Sequence, residues 1–497
     1  MNTGVPKDRF HCVYIIIMLI MQMVYLRFTR NIAHLFYFTF RYFAINKEMK
    51  QGYRNLSQVS ESDEETVLEL QSSDAESSSD DESVSSENCM ETESAASPAG
   101  TSSTWKATMN LLNYIEGVGL LALPYSIKKG GITAVISLFL LPIISWYAGK
   151  VLVESLYNND EKKRKIRVRS TWKEIGDAIY PKYAGKIVAW NQDTGFLLTA
   201  VGYLILCGSL TSHALPTVPL SQTSWTCVAA LLILPTMFLK SYSQIAWLST
   251  ISIVAIGLTT ALTVWYGVEN IENWDPSTLL FWDFEGVFIS MGIALSSYGV
   301  AEIIPSVEKS MKNKSDFGKA LASAFAVSVV IKVIIAVFGF LTFGSKTDEA
   351  IVNNFPAGPL NITASISLVI SSLLSIILCL RPVCESLDES TFFPEITSDI
   401  SNTIRNIITR VSLVVITLAI AIFLPHFALI GALMGSFQMV FTGFWIPLLV
   451  HLKVKYHELS RLQIYADVIV LVLSSAFSVL GTYFSLKGLV QAGLNRF

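Results

Sequence analysis

The stretch Asn110-Leu-Leu-Asn-Tyr-Ile-Glu-Gly-Val-Gly-Leu-Leu-Ala-Leu-Pro-Tyr125 constrains this chain more than any other. It is apolar enough and long enough to enter a membrane, yet Gly117 and Gly119 loosen its middle and Glu116 stands beside them. A carboxyl at the bilayer centre costs roughly 2.5–3.5 kcal/mol on insertion scales, and glycine weakens a helix interior. Irregular backbone is tolerated at membrane depth only where protein or a water-filled cavity surrounds it. A first helix broken at the midplane is one way in which secondary transporters build a substrate site. The run therefore implies a solute site inside a helical membrane protein.

The rest of the chain agrees. Of 497 residues, 52% are hydrophobic and 15% charged, against about 25% charged in an ordinary soluble protein. The deficit begins near residue 104, where apolar runs close to the ~20 residues needed to cross a bilayer follow one another. Eleven spans are expected, near residues 107–127, 131–156, 187–212, 225–240, 244–268, 285–304, 317–343, 361–387, 404–424, 427–450 and 463–490. Before them, residues 57–103 are rich in Ser, Asp and Glu and are expected to form a disordered, acidic cytosolic tail with phosphorylation sites. Residues 1–56 combine an apolar run, Val13 to Val24, with Arg27, Arg30 and Arg41 in an aromatic stretch. They are read either as an interfacial helix or as upstream sequence with Met49 as the true start. The six cysteines have neither metal spacing nor a CxxC pair, and Cys207 and Cys227 are expected as free thiols. Nothing suggests nucleic acid, and no nucleophile–base or metal pattern suggests an enzyme.

Loop charge sets the expected orientation. Lys162, Lys163, Arg164, Lys165, Arg167 and Arg169 follow span 2, Lys309, Lys312 and Lys314 follow span 6, and Lys453, Lys455 and Arg461 follow span 10. The loop after span 5 is acidic, with Glu269, Glu272 and Asp275. The N-terminus is thereby placed in the cytosol and the C-terminus in the lumen or outside. On the lumenal side lies the sequon Asn361-Ile-Thr363, a glycosylation candidate. Spans 1–5 and 6–10 are expected to form an inverted repeat with span 11 added. Span 6 mirrors the break of span 1: Ser296-Ser-Tyr-Gly299 interrupts it and Pro305 follows.

These residues, with Lys129-Gly-Gly131, resemble the first helix of the amino acid/auxin permease superfamily. Tyr298 through Met311, Leu341-Thr-Phe-Gly344, Arg381-Pro-Val-Cys-Glu-Ser-Leu387 and Pro425 through Ser436 agree in the same order, over about residues 104–490. Within the superfamily, the most similar branch is that of the vesicular inhibitory amino acid (GABA/glycine) transporters and the vacuolar amino acid transporters. The resemblance implies a fold like that of the bacterial leucine transporter and proton-coupled amino acid transport, with a proton gradient and no cofactor. Two positions depart from the vesicular pattern. Glutamine is usual where this chain has Glu116, and a mid-span 3 glutamate is usual where it has Gly195, with Asp193 two residues earlier.

An amino acid in a dry site needs partners for its carboxylate and its ammonium. Gly117, Val118 and Gly119 offer unpaired backbone N–H groups to the carboxylate, and Asn113 lies one turn earlier. Ser297, Tyr298, Glu302 or unwound carbonyls are the candidates for the ammonium. Lys332 stands mid-span, too deep to snorkel, and is expected to pair with Asp193 or Glu116 as a proton relay. His426 is read as a lumenal pH sensor or a solvated loop residue, and Arg381 as the structural partner of Glu385. Gly52-Tyr-Arg-Asn-Leu56 matches a tyrosine-based sorting signal, with Tyr53 and Leu56 its adaptor contacts. The function expected is a proton-coupled carrier of small neutral amino acids in an acidic vesicle, vacuole or lysosome. A plasma-membrane symporter and a non-transporting receptor are its alternatives.

Overall fold

A computed structural model describes residues 101–159, 165–181, 183–238, 248–274, 278–389 and 399–494. The sorting residues Tyr53 and Leu56, the segment 1–56 and the tail as far as residue 100 lie outside the described residues. Among the described residues, eight helices are long and apolar enough to cross a membrane, including Ile132–Glu154, Ala184–Ala214, Phe284–Ser310 and Lys314–Lys346. Spans 1, 4 and 5 complete the expected eleven: span 1 is divided, span 4 is the fifteen-residue helix Gln222–Thr236, and span 5 is Leu248–Glu269.

Spans 1 and 6 are built alike, and this is what makes the fold a five-plus-five repeat. Span 1 consists of α1 (Thr104–Ile115), a 3₁₀ turn (Val118–Ala122) and α2 (Leu123–Gly130), with Pro124 in the opening turn of α2. Span 6 consists of helix Phe284–Ser297, a 3₁₀ turn (Ala301–Ile303) and helix Ile304–Ser310, with Pro305 in its opening turn. Proline suits a helix start because it lacks an N–H that would be unpaired there anyway. At the break of span 1, Gly117 has φ −90° and ψ −178°, extended backbone open to any residue. The close approach is made instead at Gly119, where a Cβ would stand 3.2 Å from Ser297 Cα of the other broken span.

Two features were not anticipated. Between spans 2 and 3 the basic loop forms a hairpin, Tyr157–Asn159 paired antiparallel with Lys165–Arg167, followed by helix Trp172–Ile179. Thr171 and Glu174 form a reciprocal capping box at the start of that helix. Span 10 is irregular: Phe427–Met434 leads into two π-helical stretches, Gly435–Met439 and Phe441–Trp445, before Ile446–Val454. Single-turn π segments of this kind recur at functional sites.

The sequon asparagine takes part in the fold. Asn361 is buried, its amide donating to Phe355 O at 3.0 Å and its Oδ1 accepting from Ser365 at 3.0 Å.

Candidate functional site

The two breaks face one another across a cavity of about 610 Å³, within the range typical of small-molecule sites. Asn113, Glu116, Gly117, Val118 and Gly119 of span 1 line it, with Ser297, Gly299 and Glu302 of span 6. Gly195, Tyr203 and Ser375 contribute from spans 3 and 8. Exposed Asn110 and Ser306 mark the end where it reaches solvent. A nearly apolar groove of about 980 Å³ lies beside it between spans 1, 5 and 7, and shares Asn113, Glu116 and Ile256 with it.

Lys332 is fully buried, and it ties the two breaks together. Its ammonium donates to Ile115 O, the last residue of α1, at 3.0 Å, and to Ser297 O, the last residue of the first half of span 6. Both acceptors are helix C-termini, where unpaired carbonyls and the helix dipole favour a cation. The face of the Tyr298 ring completes the pocket, 4.6 Å from Nζ, a cation–π arrangement.

Glu116 follows Ile115 directly, so the carboxylate and the ammonium share one corner of the site. Both carboxylate oxygens of Glu116 are buried and neither has a hydrogen-bond partner. Bare buried oxygens of this kind are costly unless something charged meets them. In span 6, Glu302 accepts from Gln438 at 2.7 Å and from the Tyr114 hydroxyl at 3.2 Å. Its own carbonyl accepts from Trp172 Nε1 at 3.0 Å, which fastens the helix after the hairpin to the second break.

Three expectations change. Tyr298 is buried against span 2, its hydroxyl donating to Leu138 O at 3.0 Å, so it backs Lys332 instead of lining the cavity. Asp193 accepts from Ser386 at 2.6 Å, and among the described residues Lys332 bonds elsewhere, to Ile115 O and Ser297 O. The hydrogen-bond partners of Lys332 are the two helix-end carbonyls, and of the two expected carboxylates it is Glu116 that acts on it electrostatically. His426 is not simply solvated: its Nδ1 lies 2.8 Å from Glu349, whose other oxygen accepts from Ala428 N at 3.0 Å. Arg381 does pair with Glu385, at 3.3 Å, and the four described cysteines, Cys207 and Cys227 among them, are free thiols.

Sequence reasoning passed over Gln438, which lies in the first π stretch of span 10 and also donates to Thr442 at 3.2 Å. A Cβ at Gly195 would meet the Gln438 side chain at 2.6 Å, so the glycine makes room for it. A glutamine within a span otherwise almost free of polar side chains was the available signal.

The family described as transmembrane amino acid transporter protein matches residues 100–487. A vesicular inhibitory amino acid transporter of Xenopus laevis is 31% identical over 417 residues, covering 81% of this chain and 80% of that one. The human vesicular inhibitory amino acid transporter is 31% identical over 403 residues, covering 78% and 77%. Among solved structures, the inward facing conformation of Mhp1 aligns with a TM-score of 0.49 at 11% identity, over 80% of this chain and 91% of that chain. The curated relatives are transporters, not enzymes. The chain belongs to the transmembrane amino acid transporter family.

Proposed function

We propose that the protein carries small neutral amino acids, GABA and glycine among the first candidates, across the membrane of an acidic vesicle, vacuole or lysosome in exchange for protons. One observation carries the reading. A buried carboxylate whose oxygens have no hydrogen-bond partner, Glu116, lies at the break of span 1 beside unpaired backbone N–H groups. The first N–H groups of the 3₁₀ turn have no partner within it and suit a substrate carboxylate. Glu116, four residues or fewer away, suits the ammonium.

The same geometry gives a coupling rule. Glu116 is neutralised by a proton or by the substrate's ammonium, but not by both. A carrier that changes conformation only with this carboxylate neutralised moves substrate one way and protons the other. Lys332 acts as the fixed cation that holds the ends of both broken helices in register, while Asn113 and Ser297 offer side-chain hydrogen bonds along the cavity wall. Where the family resemblance implies a span 3 glutamate, Gly195 instead admits Gln438 toward Glu302. In this chain the acidic side chains of the site therefore come from spans 1 and 6.

In this reading the N-terminus and the hairpin face the cytosol and the C-terminus the lumen. The membrane spans begin at residue 104, and sorting adaptors read Tyr53 and Leu56 on the tail. Names of the relatives that specify vesicular inhibitory amino acid transport support the substrate class and the compartment. The deciding experiment is uptake of a radiolabelled amino acid panel into proteoliposomes with an imposed pH gradient. Accumulation that needs an acidic interior and collapses with a protonophore is the expected result. Binding without gradient-driven uptake would remove the exchange mechanism.

A further inference from the structure

A second cluster of ionisable side chains lies apart from the cavity, where span 10 meets spans 2 and 11. His451 and Asp467 have side chains 1% and 0% exposed, with Nδ1 and Oδ2 2.7 Å apart. The other oxygen of Asp467 accepts from the Tyr147 hydroxyl of span 2 at 2.5 Å. The second ring nitrogen, Nε2, lies 3.6 Å from Glu154 at the end of span 2, a carboxylate 39% exposed.

Of the other charged groups near His451, Lys455, one turn further along the same element, pairs with Glu458 at 3.1 Å. Lys150 stands 3.8 Å from Glu154 on its outer side, and Lys165 of the hairpin acts on Glu154 electrostatically. Lys453 turns away to donate to Ile179 O at 2.6 Å. On helix Trp172–Ile179, which packs against this end of span 10, Asp177 accepts from Gly185 N, Glu174 caps its own helix and Lys173 is exposed. Arg461 and Tyr465 of span 11 are exposed.

An imidazole with a carboxylate at each ring nitrogen has one favourable form. With both nitrogens protonated it donates toward Asp467 and faces Glu154 with a positive edge. Stripped of the Nε2 proton, the ring turns a lone pair toward an anion. The cluster then holds two carboxylates with no buried cation between them, an arrangement that low-dielectric surroundings penalise.

We propose that His451, held by Asp467, is a proton-binding site separate from the Glu116–Lys332 corner, and that loss of its Nε2 proton frees span 10 from the end of span 2. The Nε2–H bond breaks, the proton passes to water entering past Glu154, and the imidazole keeps its Nδ1–H on Asp467. The consequence reaches the cavity along one element. Seven residues before His451 the chain is still within the second π stretch, and the first carries Gln438, the partner of Glu302. The site stands on the geometry of spans 2, 10 and 11 and does not depend on what the cavity carries.

The first test is ¹⁵N NMR of the full chain labelled at its six histidines, with the His451→Gln variant assigning the signal. A ring protonated at both nitrogens at pH 7.5 is expected, where an ordinary histidine, with a pKa of about 6.5, is mostly neutral. A neutral ring would overturn the proposal. Tyr147→Phe removes one donor to Asp467 while leaving every charge in place, and it keeps the test alive should His451→Gln misfold. It should displace the pH at which the second proton leaves by about one unit, the size of one hydrogen bond to a charged group; an undisplaced titration counts against the cluster. For the mechanical half, Ser306→Cys is labelled with a membrane-impermeant maleimide across a pH series. The ratio of labelling rates between backgrounds with His451 and with His451→Gln cancels the titration of the thiol itself. A ratio that changes several-fold with pH is expected, and a flat ratio rejects the release of span 10.

Discussion

Lys332 shows what one residue contributes here and how much of it the sequence could tell. A lysine fifteen residues into an apolar span announces itself, but its acceptors, Ile115 O and Ser297 O, are backbone atoms at helix ends that no side-chain pattern reveals. Expecting Asp193 or Glu116 as its partner follows the usual search for an opposite charge. The fold answers with two helix-end dipoles beside the Glu116 carboxylate. Lys332→Ala should leave two buried helix-end carbonyls unsatisfied, each worth about 1–3 kcal/mol. Gradient-driven uptake is expected to fall at least tenfold, with a lowered melting temperature measured by thermal shift in detergent. Unchanged melting would mean that the carbonyls had found other donors. Gly119 is the complementary case. Its need for a missing side chain was legible from the glycine pair, although the reason is a neighbouring backbone and not a special φ: Ser297 Cα lies 3.2 Å from where a Cβ would stand. Gly119→Leu should push the two breaks apart and abolish binding of the transported amino acid in equilibrium dialysis while the chain still folds. Retained binding would place the substrate elsewhere.

At the scale of elements, the paired breaks were legible because glycine, serine and proline interrupt otherwise apolar runs at matching places. The hairpin after span 2 was not, because its lysines and arginines look like a solvated loop. Its role rests on a single arginine. Arg167 Nη1 lies 2.6 Å from Glu308, whose side chain is fully buried, and Nη2 donates to Pro305 O at 2.9 Å. Tyr157 of the opposite strand donates to the same carboxylate. The hairpin thus grips the second half of span 6 just beyond the break. Removing one partner of a buried pair strands the other charge and costs about 3–5 kcal/mol, whereas replacing both costs far less. Arg167→Met should therefore lower the melting temperature sharply, and Arg167→Met with Glu308→Gln should recover much of the loss. Additive losses in this double-mutant cycle would show that the pair is not coupled. The π stretches of span 10 were equally hidden, since no residue pattern distinguishes an i→i+5 turn from an α-helix in a run this apolar.

Across the whole molecule, the membrane domain takes hold of the chain earlier than its first apolar residue suggests. Ser102 N donates to Ser310 O at 2.9 Å and Ser102 O accepts from Lys312 N at 2.9 Å, which pins the entry to span 1 against the exit of span 6. Ser103 then caps α1, its hydroxyl accepting from Lys106 N at 3.3 Å. The two broken spans are consequently joined at several levels: at this clasp, at Gly119 against Ser297, through the Tyr114 hydroxyl on Glu302, and through the ammonium of Lys332. Composition alone set the start of the domain near residue 104, because serines 102 and 103 look like the last of the polar tail, and only backbone pairing separates them from it. A deletion series tests the difference. A chain beginning after residue 100 keeps the clasp and the cap and should accumulate substrate at the full-length rate, corrected for expression. Removing three more residues takes away two backbone hydrogen bonds and an N-cap worth about 1 kcal/mol, and should lower both the melting temperature and the uptake rate. Equal behaviour of the two deletions would show that the clasp contributes nothing to holding spans 1 and 6 together. Failure of both would instead assign the acidic tail a part in transport itself.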